Sequence, residues 1–338
     1  MKKGLVIVFA AIGMMACVQN DTVELSPSHE IRFGSKYVDN QTRAAQDPSF
    51  VDGINDLTAF NVWGFMDKPE VKLWEAEEVT KKADGGWSQD NVHYWLPGHS
   101  YYFTALAPMN SPNWSVDTSN TNTFGLGKVT FTNVDGSEDL IYAATTMKTP
   151  DTYDELFANP MDSVRFKFDH LLTKLTFTFK NNFPVPEDDE TIRNVKMKIK
   201  NVTMEAPRTA TIDLAVENWK NDDIEDWKFE GDKMVLNFGE TELIEVGETK
   251  EISAIRLTYP TPSTYTYTVE FDIEIYMNEV LGMTAHKEAT ISNRELLIDK
   301  AYRFNAVIDP DNLTLKKIEF GVPTINGWNE QEPQDMVN

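Results

Sequence analysis

Residues 166–180 read Phe166-Lys-Phe-Asp-His-Leu-Leu-Thr-Lys-Leu-Thr-Phe-Thr-Phe-Lys180. Val164, Phe166, Phe168 and Leu172 fall on even positions, whereas Leu175, Phe177 and Phe179 fall on odd ones. Side chains alternate faces along a strand, so a change of parity means that the buried face has changed sides. Either a bulge between His170 and Thr173 or a crossing from one sheet to another produces such a change. The stretch is expected to be the hinge of the chain, where one β domain meets another.

The same period of two extends outward in both directions. In the second half, Tyr265, Tyr267, Val269, Phe271, Ile273, Ile275 and Met277 form one face, with mostly Thr, Glu and Asp on the other. Val195, Met197 and Ile199 alternate with lysines, and Tyr302, Phe304, Ala306 and Ile308 repeat the pattern. In the first half, strands are expected over Leu57–Met66, Tyr101–Pro108, Phe124–Val134 and Leu140–Ala144, preceded by an isolated one holding Ile31, Phe33 and Tyr37. Thr149-Pro150 is expected to cap a short helix running to Phe157 and stopped by Pro160. Pro323 confines the last strand, Ile318 to Trp328, to an edge or a bulge. With no helical stripe of useful length, the pattern predicts an all-β fold of antiparallel sandwiches. The 338 residues suit two domains, expected at 44–163 and 164–338.

Composition narrows the partners. The chain carries 31 basic and 54 acidic residues, a net charge of −23 that repels a phosphate backbone and excludes nucleic acid. Lys2-Lys3 followed by apolar Gly4–Ala16 reads as an export signal, too short to span a bilayer. Met14-Met15-Ala16-Cys17 resembles a bacterial lipobox, with Met14 where leucine is usual, so residues 1–17 are expected to be a lipoprotein signal with Cys17 lipidated; an ordinary signal peptide is the alternative. Cys17 is the sole cysteine, which leaves the folded part without disulfides. Residues 18–43 form a polar tether, the early strand and an exposed loop in which Arg43 sits between small residues, as at a trypsin-like cleavage site.

The search for chemistry gives little. The five histidines lack metal-ligand spacing, no His-Glu-x-x-His occurs, and Gly125-Leu-Gly127 lacks the third glycine of a phosphate loop. Asp135–Asp139 and Asn221–Asp226 are acidic turns without the spacing of a calcium loop. No cofactor or resident metal is expected. Of the eight tryptophans, Trp63, Trp95 and Trp328 are expected in the core. Trp74, Trp87, Trp114, Trp219 and Trp227 lie in polar stretches and are expected at the surface, with Trp74 and Trp87 as candidate ligand aromatics.

Three motifs carry a resemblance. Phe168-x-His170-x-Leu172-x-Lys174-Leu175, the Trp95-x-Pro97-Gly98 turn leading to Tyr101 and Ala107-Pro108, and the late Leu296–Ile308 strand with a Val322…Trp328 ending are similar to those of the fimbrillin family, subunits of type V pili in Gram-negative anaerobes. The resemblance implies two tandem transthyretin-like antiparallel β-sandwich domains. It also implies a surface-exposed outer-membrane lipoprotein precursor cut between Arg43 and Ala44 by an Arg-specific protease, since Thr42-Arg43-Ala44 matches the family context. Ile31, Phe33 and Tyr37 would then belong to a removable strand whose groove is filled by another pilus subunit through donor-strand exchange. Residues 329–338 are too polar to donate, so residues around Leu313 to Trp328 must do it, or the subunit only accepts. A non-polymerising lipoprotein that binds glycan or a host ligand through exposed aromatics is the alternative. Nothing in the sequence supports a hydrolase.

Overall fold

The computed structural model describes residues 29–34, 57–83, 85–117, 125–184, 195–215, 227–314 and 317–328. They form an all-β fold of twenty strands and two short helices arranged in four sheets. Sheet I has the order β3 (Trp87–Ser88), β2 (Glu70–Lys81), β1 (Ala59–Asp67), β4 (Ser100–Ala107), β7 (Ile141–Lys148) and β8 (Asp169–His170). Sheet II is β12 (Lys228–Phe229), β11 (Thr209–Ala215), β6 (Gly125–Thr132) and β5 (Trp114–Asp117). Sheet III is β13 (Lys233–Gly239), β10 (Val195–Pro207), β16 (Tyr267–Met277), β17 (Val280–Ile291) and β19 (Ile318–Glu319). Sheet IV is β14 (Thr249–Glu251), β9 (Thr173–Asn181), β18 (Lys300–Ile308) and β20 (Thr324–Gly327), with β15 (Arg256–Thr258) also on β9.

The parity change marks a crossing between sheets. β8 pairs with β7 in sheet I, Leu171 and Leu172 are fully buried, and β9 begins sheet IV at Thr173. The face of β9 that carries Leu175, Phe177 and Phe179 meets Phe271, Ile273 and Phe304 in the core between sheets III and IV. β16 alternates as its sequence predicts, buried from Tyr267 to Ile275 at every second residue. Sheet I is covered on both faces. Sheet II lies over one, around Leu106, Phe131, Tyr142 and Ile212; the other packs Phe60, Phe103 and Trp95 against residues 29–34 and 164–168. Burial on both sides explains why Ala59–Asp67 is apolar with little alternation.

Four expectations change. The sequence places residues 209–229 in a domain spanning 164–338, yet β11 pairs with β6 and β12 with β11 to complete sheet II, because the chain beyond Pro207, where β10 ends, continues into the sheet of the first half. Two pairings, β9 with β18 and β17 with β19, are parallel. Thr152, not Thr149, caps helix α1 (Tyr153–Ala158), accepting from the Glu155 N–H. Thr149 is buried, and its hydroxyl is 2.7 Å from the Leu96 carbonyl. The early strand is not a ladder: residues 29–34 make single bridges at Glu30 and Phe33. Helix α2 (Pro310–Thr314) precedes β19 and β20, which lie at the edges of sheets III and IV, in keeping with Pro323 between them.

Candidate functional site

Residues 29–34 lie in a slot between two backbone segments, residues 93–95 and Val164. On one side the Ile31 N–H donates to the His93 carbonyl at 2.8 Å and the Trp95 N–H to the His29 carbonyl at 2.9 Å. On the other, the Gly34 N–H donates to the Val164 carbonyl at 2.8 Å and the Val164 N–H to the Arg32 carbonyl at 2.7 Å. The Gln89 amide closes the row by donating to the Ile31 carbonyl at 2.8 Å. The segment thus behaves as a strand inserted between two edges, antiparallel to one and parallel to the other.

Its apolar side chains point inward. Ile31 is 0% and Phe33 5% exposed. The Phe33 ring stacks on Phe166 at 5.9 Å and 13° and meets Trp74, Phe103 and Phe60 at 5.3, 6.1 and 6.4 Å. Arg32 turns outward to an exposed ion pair with Glu30 at 3.0 Å. Gly34 sits at a close approach, since a Cβ there would lie 3.0 Å from the Ser163 Cβ and Ser163 would have to give way by a few tenths of an ångström. Burial of one large apolar side chain contributes ~1.5–3 kcal/mol, so Ile31 and Phe33 dominate the attachment, and the hydrogen bonds set its register.

Trp74 belongs to this slot and not to a surface platform. It is 2% exposed, and its indole N–H donates to the Asn91 carbonyl at 2.9 Å. Register shifts on either side of Gly64, its partner across β1 and β2, turn it inward, and a Cβ at Gly64 would lie 2.5 Å from the Trp74 ring. That cross-strand bulge leaves no trace in the polar sequence around Trp74. Trp87 is half-buried and tilts against Phe60 at 5.0 Å. Trp227 is buried too, its indole donating to the Leu171 carbonyl at 3.1 Å, and Trp114 is half-buried with its indole on the Pro108 carbonyl. Cys17, Tyr37, Arg43, Ala44 and Trp219 lie outside the described residues.

A second constellation sits where the chain crosses between sheets. His170 is 3% exposed, and its Nδ1 lies 2.6 Å from the Asp139 carboxylate. The imidazole stacks on Trp328 at 4.0 Å and 12°, and the Lys174 ammonium lies 5.8 Å from the same ring. Burial works hardest on the imidazole and would lower its pKa. The Asp139 charge and hydrogen bond, aided by Asp299, outweigh burial and hold the pKa above the ordinary histidine value. Burial raises the Asp299 and Asp169 carboxyls. Trp328 therefore fastens the carboxy-terminal segment to the core between sheets I and II, while β20 pairs with β18 in sheet IV.

The acidic turn at Asp135–Asp139 spends its carboxylates internally: Asp135 accepts from Ser137, Glu138 from Ser111 and Asn113, and Asp139 faces His170. Among the described residues no group of three His, Cys, Asp or Glu side chains is placed to hold a metal, and no helix is long and apolar enough to cross a membrane.

The fold has a counterpart among known proteins. A fimbrial protein from Bacteroides vulgatus superposes with a TM-score of 0.54 at 14% identity, covering 89% of this chain and 99% of its own. The fimbrial anchor protein Mfa2 from Porphyromonas gingivalis matches at 16% identity over 88% of this chain and 96% of its own, with a TM-score of 0.36. No curated protein sequence matches the chain. The sequence profile of the fimbrillin-like family matches residues 42–328, spanning both halves and the His170 crossing, and the chain belongs to that family.

Proposed function

We propose that this chain is a structural subunit of a cell-surface fimbria, exported as an outer-membrane lipoprotein through Cys17, cut between Arg43 and Ala44 by an Arg-specific protease, and joined to other pilus subunits by donor-strand exchange. The observation that carries this reading is the seating of residues 29–34. Ile31 and Phe33 are buried in an aromatic core, yet they are held by a short chain segment that bridges two backbone edges and reaches the rest of the molecule through residues 35–56. Loss of that segment leaves the His93 and Val164 carbonyls and the Trp95 and Val164 N–H groups without partners beside an empty apolar slot. Such an edge binds an extended chain: main-chain groups supply affinity and pockets for alternate side chains supply selectivity.

The glycan-binding alternative is less favoured, because Trp74 holds up the slot from inside. The test is Arg43→Ala in the native host. Donor-strand assembly predicts that the variant keeps its full precursor size and fails to enter detergent-resistant polymer. Normal assembly of Arg43→Ala refutes the proposed maturation.

A further inference from the structure

A cleft of about 520 Å³ opens where the carboxy-terminal strap, residues 317–328, changes sheets. The strap and β17 run parallel through two residue pairs, Ala289 with Ile318 and Thr290 with Glu319. One residue further on, the strap leaves β17: Phe320 bridges to Ala306 and the Gly321 N–H donates to the Asn305 carbonyl at 2.9 Å, both in β18 of sheet IV. β17 stays in sheet III as far as Ile291, which pairs with Tyr267. The two chains therefore part beyond Thr290 and Glu319, and the gap between them is the cleft.

Its floor is apolar. Ile291, Phe304 and Ile318 are buried beneath it. Phe320 is half-buried: Phe177, Phe179 and Phe304 hold the ring at 5.1, 6.2 and 6.3 Å, and its remaining surface lines the cleft.

The open end is cationic. Arg294 lines the cleft where the chains part, half-buried, and among the described residues it makes no hydrogen bond and no ion pair. The other charged side chains of the lining, Glu288, Lys317 and Glu319, are exposed. The parallel register, continued back by one residue, sets Lys317 beside Glu288, so those two charges answer each other at the closed end. Glu319 stands opposite Thr290 and forms no ion pair with the guanidinium. A cation that has given up part of its hydration without a partner carries a cost, and a planar guanidinium matches a carboxylate through two parallel N–H···O bonds.

We propose that this cleft binds a small monocarboxylate with an apolar body, its carboxylate on Arg294 and its body against Phe320. The volume lies within the roughly 300–1,000 Å³ usual for small-molecule sites. Glu288 and Glu319 on the same rim repel a second carboxylate, so a dianion is disfavoured. The strap lines the cleft from its place in its own fold, so the site does not depend on donor-strand assembly. A ligand there touches β17 and the strap at once and, by mass action, holds the strap in place.

The test titrates the full chain with 3-phenylpropionate, hexanoate, phenylsuccinate, glucuronate and the neutral 3-phenylpropionamide, following heat by calorimetry and the strap by hydrogen exchange. Both apolar monocarboxylates are expected to bind and to slow exchange of the amides of residues 318–321, and the ratio of their affinities separates an aromatic from an aliphatic body. Phenylsuccinate and the amide are expected to bind at least about tenfold more weakly than 3-phenylpropionate. Arg294→Gln is expected to weaken 3-phenylpropionate at least about tenfold and to leave the melting temperature unchanged, because the side chain has no partner in the fold. Arg294→Lys, which keeps the charge and loses the fork, is expected to fall between the two. Absence of binding by both apolar monocarboxylates at millimolar concentration overturns the proposal, as does binding that Arg294→Gln leaves intact or that leaves strap exchange unchanged. Glucuronate bound more tightly than 3-phenylpropionate overturns the assignment of an apolar body.

Discussion

Phe33→Ala should loosen the amino-terminal segment far more than its size suggests. The ring is 5% exposed and touches four other aromatic side chains. Truncation of a buried phenylalanine costs about 3–5 kcal/mol, counting both lost transfer energy and the cavity left behind. Trp74, Phe103 and Phe166 sit on different elements, so the cavity collapses poorly and the upper part of that range applies. If the segment opens as a unit, its opening constant rises by about 10³–10⁴, at about 1.4 kcal/mol per tenfold. The assay is native-state hydrogen exchange of the Ile31 and Gly34 amides, whose N–H groups donate to His93 and Val164. Arg32→Ala is the matched control. It sits in the same segment, but its exposed ion pair is worth about 0–1 kcal/mol. Comparable exchange in Phe33→Ala and Arg32→Ala would refute the claim that the aromatic anchor holds the segment in place.

Trp74→Ala should lower stability by about 3–5 kcal/mol in denaturant unfolding and leave retention on polysaccharide gels unchanged, since the indole is buried; a stable variant with altered retention would restore the glycan reading. Tyr259→Phe should cost about 1–3 kcal/mol: the buried hydroxyl lies 2.7 Å from the Phe131 carbonyl and 2.9 Å from that of Arg208, and accepts from the Asn133 N–H at 3.3 Å. A loss below the error of a chemical melt would count against that bridge. His170 has a raised pKa in the folded chain, so the stability it contributes is complete below the unfolded value of 6.5 and is lost as pH rises through the folded one. The raised carboxyls of Asp169 and Asp299 act in the same direction at lower pH. Exchange of amides in residues 318–328, corrected for intrinsic rates, should therefore increase as pH rises from 6.5 through the raised His170 pKa, and His170→Gln should abolish the trend; a flat profile in the unsubstituted chain would contradict this.

Much of the fold was legible because burial and period coincide. β16 alternates between a core and solvent, and its pattern survives intact in the sequence. The parity change at residues 166–180 could signal a bulge or a crossing, and local sequence cannot separate them, because both invert the buried face. The parallel union of β9 with β18 was hidden for a related reason: period-two burial is the same whichever way a neighbour runs. Trp74 misled because its inward turn depends on register shifts at Gly64, ten residues earlier in the chain. In the slot, the apolar pair Ile31 and Phe33 was readable, whereas His93, Val164 and Gln89 were not, because they meet the segment only through main-chain or amide groups that sequence periodicity does not encode. The Asp139–His170–Trp328 cluster joins residues far apart in sequence, and no local pattern announces it.

The insertion of β11 and β12 beside β6 has a consequence for the order in which the molecule can be made. Sheet II is incomplete until Phe229 has left the ribosome, β9 lacks its parallel neighbour until Ile308 has, and the core between sheets I and II is sealed only by Trp328. Because both halves wait on distant chain, neither can mature ahead of the other during synthesis, as separately folding domains do. The core between sheets I and II and the core between sheets III and IV are therefore both completed only by late-emerging chain, whereas the core on the other face of sheet I is built from residues 31–168 alone.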